Sequence, residues 1–279
     1  MISLLYCGNE GVFDGVLTSL LSIFKRSTPD TYRIYILTMN LTRLKDTYTP
    51  ISDHLIEFLN KVVKSYNPEN EVVKVDVTDL YERDFHKCPN EGAYCSPYTL
   101  IRLFADLVEI IPDKVLYLDT DIMFNRDVHL LWNIDIEDYE YAAARDHYGK
   151  FLCYPNFVNA GVLLFNMKKC RETGLFVKAR GWIQKKKLTF ADQSAIAKST
   201  TRKKMISQRF NDQKFMYKHT VVRHFSKRLF WLPYPHTANI KQYHIDLVHK
   251  KFKYHMFDDI FDEYLKLKEE YLSGGENHE

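Results

Sequence analysis

Hydrophobic and polar positions change their period repeatedly along this chain. The runs "ISLLY" and "YRIYIL" are short, β-branched and aromatic, and read as buried strands. Between them "VLTSLLSIF" spaces its apolar residues as a helix does. Residues 51 to 66 place Ile51, Leu55, Leu59, Val62 and Tyr66 on one stripe, "NPEN" breaks it, and "EVVKVDV" alternates as a third strand. "SPYTLIRLFADLVEII" predicts a helix capped by Ser96, with Pro97 in its first turn and Ile101, Phe104, Val108 and Ile111 on one face. "KVLYLD", "YAAAR" and "VNAGVLLFNM" supply a fourth, fifth and sixth strand. Strands alternating with helices predict an α/β fold, a mostly parallel Rossmann-like sheet flanked by helices, with ligands collecting at the carboxyl ends of the strands. From about residue 168 the pattern mixes. "KKCRETGLFVKARGWIQKKK" reads as one basic amphipathic helix with a solvated lysine face, and "FDDIFDEYLKLKEEYL" as an exposed helix before the polar tail "SGGENHE".

Composition narrows the function classes. At 279 residues with 46% hydrophobic side chains, the chain can bury one large core or two small ones without staples, which predicts one compact domain. A formal charge of +3, with both signs interspersed, offers no basic arm for nucleic acid. The five cysteines (Cys7, Cys88, Cys95, Cys153, Cys170) lack CxxC spacing and read as reduced thiols. The start "MISLLYCGNE" carries no basic leader and its apolar run is too short for a membrane span, so the expected location is the cytoplasm.

The chemistry concentrates in "VLYLDTDIMFN", Val115 to Asn125. Carboxylates at the end of a core strand must be satisfied by a metal ion, a basic side chain or a turn. Asp119 and Asp121 can both face one hard cation, because the chain leaving the strand no longer alternates strictly. Taken alone, the pair fits an Asx-type turn with a basic partner better than a metal site. No GxxxxGK[ST] loop is present, which removes the P-loop enzymes; a metal-dependent nucleotidyltransferase or hydrolase stays open.

Several stretches standing in order add to this reading: "LLYCGNEGVFDGVLTSLLSI", "SPYTLIRLFADL", "DKVLYLDTDIMFNRDVHLLW", "YAAARD", "NAGVLLFNM", "ADQSAIA", and late "HF" and "IKQYH" elements. In combination the chain resembles glycosyltransferase family 8, retaining nucleotide-sugar enzymes of the GT-A fold that include bacterial lipopolysaccharide galactosyl- and glucosyltransferases and the glycogenins. The resemblance implies a GT-A catalytic domain over residues 1–249 and a C-terminal helix with polar tail over 250–279. It implies hexose transfer, glucose or galactose, from a UDP-sugar to a glycan or glycolipid acceptor in cell-surface glycan synthesis. It implies manganese, or magnesium, held by Asp119, Asp121 and His224. It places Cys7, Gly8, Asn9, Asp119 and Thr120 against the nucleotide, and Arg102, Asp146, Asn159, Gly161, Asp192 and Gln193 around the donor sugar. Gln193, Asp192 and Lys241 are the implied catalytic positions, Lys241 lying against the diphosphate with Lys227 or Arg228 as substitutes.

The family's compact "HxxGxxKPW" element is stretched here, with Gln242 and Tyr243 in place of proline and tryptophan. That departure motivates one alternative, a nucleotide-sugar-binding protein that no longer turns over. Tyr94, Tyr98, Phe230, Trp231 and Tyr234 are acceptor-stacking candidates or small-core residues. Any membrane contact is expected to be peripheral, at the inner face, because the last helix is rich in Asp and Glu.

Overall fold

The computed structural model describes residues 1–92, 96–230 and 234–275. Tyr94, Cys95 and Trp231 lie outside the described residues.

Nine strands carry the framework: β1 (Ile2–Cys7), β2 (Tyr32–Thr38), β3 (Glu71–Asp76), β4 (Lys114–Leu118), β5 (Ile122–Phe124), β6 (Tyr141–Ala144), β7 (Val162–Asn166), β8 (Lys203–Ile206) and β9 (Val222–His224). Seven form one sheet in the order β3-β2-β1-β4-β7-β6-β8. Neighbours pair in parallel except where β7 runs antiparallel to β4 and β6. The carboxyl ends of β1, β4, β6 and β8 therefore share one edge. β5 and β9 pair antiparallel in a separate two-stranded sheet.

Alternation along the strands splits the apolar side chains between two cores, one on each face of the sheet. Ile2, Leu4 and Tyr6 of β1 join the cluster under helices Phe13–Arg26 and Asp53–Tyr66, while Leu5 and Cys7 join the opposite cluster. Both faces are covered, as the continuous apolar runs require.

Four sequence expectations need correction. The segment after Ser96 forms 3-10 turns, Pro97–Thr99 and Ile101–Leu107, instead of one α-helix, and the Ser96 side chain makes no cap. The basic stretch is two helices, Met167–Thr173 and Leu175–Lys185, broken at Gly174, whose φ of 67° glycine adopts at little cost. β8 was not expected, because "KKMI" is too short and polar to read as a strand.

The final helix, Asp258–Gly275, is not an exposed one. Ile260, Phe261 and Tyr264, with Phe257 just before them, are buried in the first core. Its acids pair with the first helix: Arg26 contacts Asp259 at 2.6 Å and Lys25 contacts Glu263 at 2.7 Å. Tyr264 Oη donates to Asp14 at 2.7 Å. No helix among the described residues is long and apolar enough to cross a membrane.

Candidate active site

β4 ends at Leu118, and the next residues turn two carboxylates toward the open edge. The β4–β7 pairing continues one step further, with Asp119 N–H donating to Gly161 O at 2.8 Å, so Gly161 lies directly beside Asp119. A Cβ on Gly161 would stand 2.4 Å from His224 Cε1 and 2.8 Å from Asp119 Oδ2, so only glycine fits.

His224 arrives from far along the chain through the β5–β9 pair, whose register sets His224 opposite Ile122, next to Asp121. Phe225 N–H donates to Asp121 O at 2.8 Å and locks the approach. His224 Nε2 then lies 3.0 Å from Asp121 Oδ1 and 3.9 Å from Asp119 Oδ2.

The imidazole is oriented by a chain of amides. Gly161 N–H, which can only donate, gives to Asn159 Oδ1 at 2.9 Å. Asn211 Nδ2 donates to the same oxygen at 2.9 Å, so Asn211 Oδ1 is left to accept from His224 Nδ1 at 3.0 Å. Nδ1 therefore holds the proton in the neutral ring and Nε2 presents its lone pair to the carboxylates, the arrangement that metal-binding histidines adopt. Asp121 Oδ1 is buried with no hydrogen-bond partner. Between a bare nitrogen and a bare carboxylate oxygen something positive must sit, a proton or a cation. An octahedral ion with ligands at about 2.1 Å keeps neighbouring ligand atoms about 3.0 Å apart, so the residues fit a hard divalent ion.

Cationic side chains flank the pair. Lys241 Nζ sits 2.5 Å from Asp121 Oδ2. Burial opposes ionisation of Asp121, but the charge of Lys241, joined by that of His224 when Nε2 also carries a proton, outweighs it and holds the carboxyl below the usual range. Arg102, 3% exposed, places Nη2 3.0 Å from Asp119 Oδ1 and Nε 3.3 Å from Asp192 Oδ2, and Tyr117 Oη donates to Asp119 at 2.6 Å. A helix-surface ion pair, the simplest alternative for Arg102, is thereby excluded. Burial raises the Asp192 carboxyl to about 6, with Arg102 pulling it down and Asp119 pushing it up. Asp192 does not cap its helix; it lies in the first turn of Ala191–Ser199, entered through Ala191 at φ 35°.

Asp146 organises the next group. Its Oδ2 accepts from Asn159 Nδ2 at 2.9 Å and Gln193 Nε2 at 3.2 Å, and its Oδ1 accepts from the backbone of Tyr148 and Gly149. Gln193 Oε1 accepts from Ala160 N–H at 3.2 Å, so both ends of that amide are held.

One cavity of about 290 Å³ opens beside the two carboxylates; His224, Asp192 and the Asp146 group are not among its lining residues. Cys7, Gly8 and Asn9 from the end of β1 line it with Arg102, Asp119, Thr120, Asp121 and Lys241. Lys227 and Arg228 are not among its lining residues; Arg228 stacks over Phe215, Phe230 and Phe252. Phe230 also stacks on His236 and Phe252; Tyr98 is largely buried with its hydroxyl donating to Met39 O, and its ring lines the cavity.

Three contributors were not legible in advance. Asn211 has no local motif. Gly15 lets its helix approach the loop between Asp119 and Asp121, since a Cβ there would stand 2.4 Å from Thr120 O. Gln242, in the family's proline position, is fully buried and its Nε2 donates to Thr120 O at 2.8 Å and Thr18 Oγ1 at 3.0 Å.

A sheet of this order, with two carboxylates and an imidazole meeting beyond its strands, defines the GT-A class of glycosyltransferases. The chain belongs to glycosyl transferase family 8, whose model matches residues 4–229. A Haemophilus influenzae protein described as a glycosyltransferase is 31% identical over 210 residues, covering 69% of this chain and 58% of that relative's length. The galactosyltransferase LgtC, solved with donor and acceptor sugar analogues, shares the fold with a TM-score of 0.65 over 95% of both chains, at 17% identity. The glycosyltransferase GlyE of Streptococcus pneumoniae shares it with a TM-score of 0.63 over 95% of this chain and 64% of that one, at 16% identity.

Proposed function

We propose that this chain is a retaining hexosyltransferase that moves glucose or galactose from a UDP-sugar to a hydroxyl of a glycan or glycolipid, with manganese held by Asp119, Asp121 and His224. Residues 1–249 are the catalytic unit in this reading. The observation that carries it is the single cavity uniting the end of β1 with both carboxylates and Lys241, room for a nucleoside diphosphate with its charge at the acidic end. The donor and acceptor analogues bound by LgtC support the same substrate classes here.

The roles follow from position. Cys7, Gly8, Asn9 and Thr120 contact the nucleoside. Asp119, Asp121 and His224 would hold the metal, which would supply Lewis-acid charge beside the diphosphate. Lys241, already beside Asp121, adds a compact cation where the leaving group departs. Arg102 keeps Asp119 and Asp192 oriented, and Asp146, Asn159, Gly161, Asp192 and Gln193 surround the sugar.

Retention needs either a protein nucleophile or attack from the face that the diphosphate leaves. Gln193 is an amide held at both ends, a poor nucleophile, so same-face substitution is the reading we adopt. Replacing Gln193 with alanine should slow turnover without abolishing it; a sugar trapped covalently on another residue would refute same-face attack. UDP, not UMP, should be the released product, and UMP would indicate phosphoanhydride cleavage instead.

A further inference from the structure

A second cavity, of about 440 Å³, opens at the carboxyl ends of β6 and β8, where Ala144 pairs with Ile206. It is lined by Arg145, His147 and Lys150, by the polar Ser207 and Gln208, and by the apolar Met205 and Ile206. This is the same sheet edge that carries Asp119, because β6 and β4 both run antiparallel to β7. Arg145 and His147 flank Asp146, whose carboxylate reaches Asn159 and Gln193, so one short segment serves the donor-sugar group and this cavity together.

That segment is braced. Gln213, 6% exposed, accepts from His147 N–H at 2.9 Å and donates to Arg145 O at 3.2 Å, clamping the backbone on both sides of Asp146. The charge is one-sided. Two permanent cations line the cavity and no carboxylate does. Burial depresses the His147 imidazole, and Lys214 and Lys150 lower it further, while Asp146 and Asp212 act weakly in the opposite sense. Arg145 gives one donor to Asn156 Oδ1 at 3.1 Å and carries others in a planar fork suited to carboxylate or phosphate.

Neutral sugars are usually held by acids and amides that accept from hydroxyls; a wall of cations without an acid selects a negative group instead. We infer that this cavity is the acceptor subsite and that the acceptor is an anionic sugar, bearing a phosphate or a carboxylate, with its charge on Arg145 and Lys150. The inference rests on the transferase reading above. In the reaction the acceptor hydroxyl oxygen bonds the anomeric carbon, the bond from that carbon to the diphosphate oxygen breaks, and the hydroxyl proton leaves with UDP.

The test uses the full chain with manganese and UDP, and measures binding of glucose 6-phosphate, glucuronic acid and glucose by saturation-transfer NMR. The expected result is binding of a charged sugar at least about tenfold tighter than glucose, weakening as salt is raised, and lost in Lys150→Glu and in Arg145→Gln. Tighter binding of glucose 6-phosphate identifies a phosphorylated acceptor, and tighter binding of glucuronic acid a carboxylated one. Equal binding of glucose, or charged-sugar binding unchanged in both variants, overturns the inference. UDP release is followed in parallel with wild-type protein given each donor together with each of the three sugars. No release from any donor and sugar pair counts against the transferase reading, while the NMR arm still decides the charge of the cavity.

Discussion

His224 Nδ1 lies 3.0 Å from Asn211 Oδ1, and that contact decides which ring nitrogen faces the carboxylates. Without the amide oxygen, the ring loses its tautomer and its orientation together. Asn211→Leu should therefore weaken metal affinity by about 10- to 100-fold, the usual cost of losing such a partner. The measurement is activity or UDP binding against manganese concentration. Excess metal should restore most of the signal; a variant with an unchanged metal dependence would show that Asn211 only packs.

Gly161 has no room for a side chain. Gly161→Ala would set a methyl 2.4 Å from His224 Cε1 and 2.8 Å from Asp119 Oδ2, forcing the ligands apart. Manganese-dependent UDP binding should fall by more than about tenfold while circular dichroism stays that of the folded chain. Wild-type affinity in this variant would contradict the ligand assignment.

Gln242 braces the loop between the two aspartates by donating to Thr120 O, where the family places proline. Gln242→Leu leaves that part-buried carbonyl without its partner, and unfolding free energy measured in urea should drop by about 1–3 kcal/mol. Its own Oε1 is buried without a partner, which sets the lower end of that range in favour. No loss of stability would mean that the contact contributes nothing.

A pH-dependent contribution to stability lies away from the site. His129 is hydrogen-bonded through Nε2 to Asp30 at 3.0 Å and through Nδ1 to Asp127 at 2.6 Å. Burial pulls the imidazole down, but the two carboxylates outweigh it and raise it above its ordinary value. A raised histidine stabilises fully below its unfolded value, about 6.5, and that contribution fades as pH rises through the folded one. The melting temperature of the wild type minus that of His129→Gln should therefore shrink between pH 6 and pH 9. A difference that stays flat or grows would contradict the linkage.

Much of this architecture was legible because period and chemistry agree in the first half of the chain. β1 to β4 are apolar enough to be recognised, and a pair of acids at the end of "KVLYLD" is visible as a break in that pattern. The rest depends on contacts that no window of sequence contains. β9 is three residues long, yet its register with β5 delivers His224 to Asp121. Asn211 and Gln213 act through side-chain amides on segments distant in sequence, and Gln242 reads as a surface residue until the loop it supports is seen. The last helix reads as exposed because six acids are spread along it, although Asp259 and Glu263 pair with Arg26 and Lys25, its own Lys268 pairs with Asp14, and Phe261 and Tyr264 are buried.

The central claim is that Asp119, Asp121 and His224 hold a metal that a UDP-sugar requires. Release of UDP from a panel of UDP-sugars, with and without manganese, in the native chain and in Asp121→Ala, tests it most directly. The account predicts release from a glucose or galactose donor that depends on both manganese and Asp121. Release that persists without metal, or that Asp121→Ala leaves intact, would contradict it.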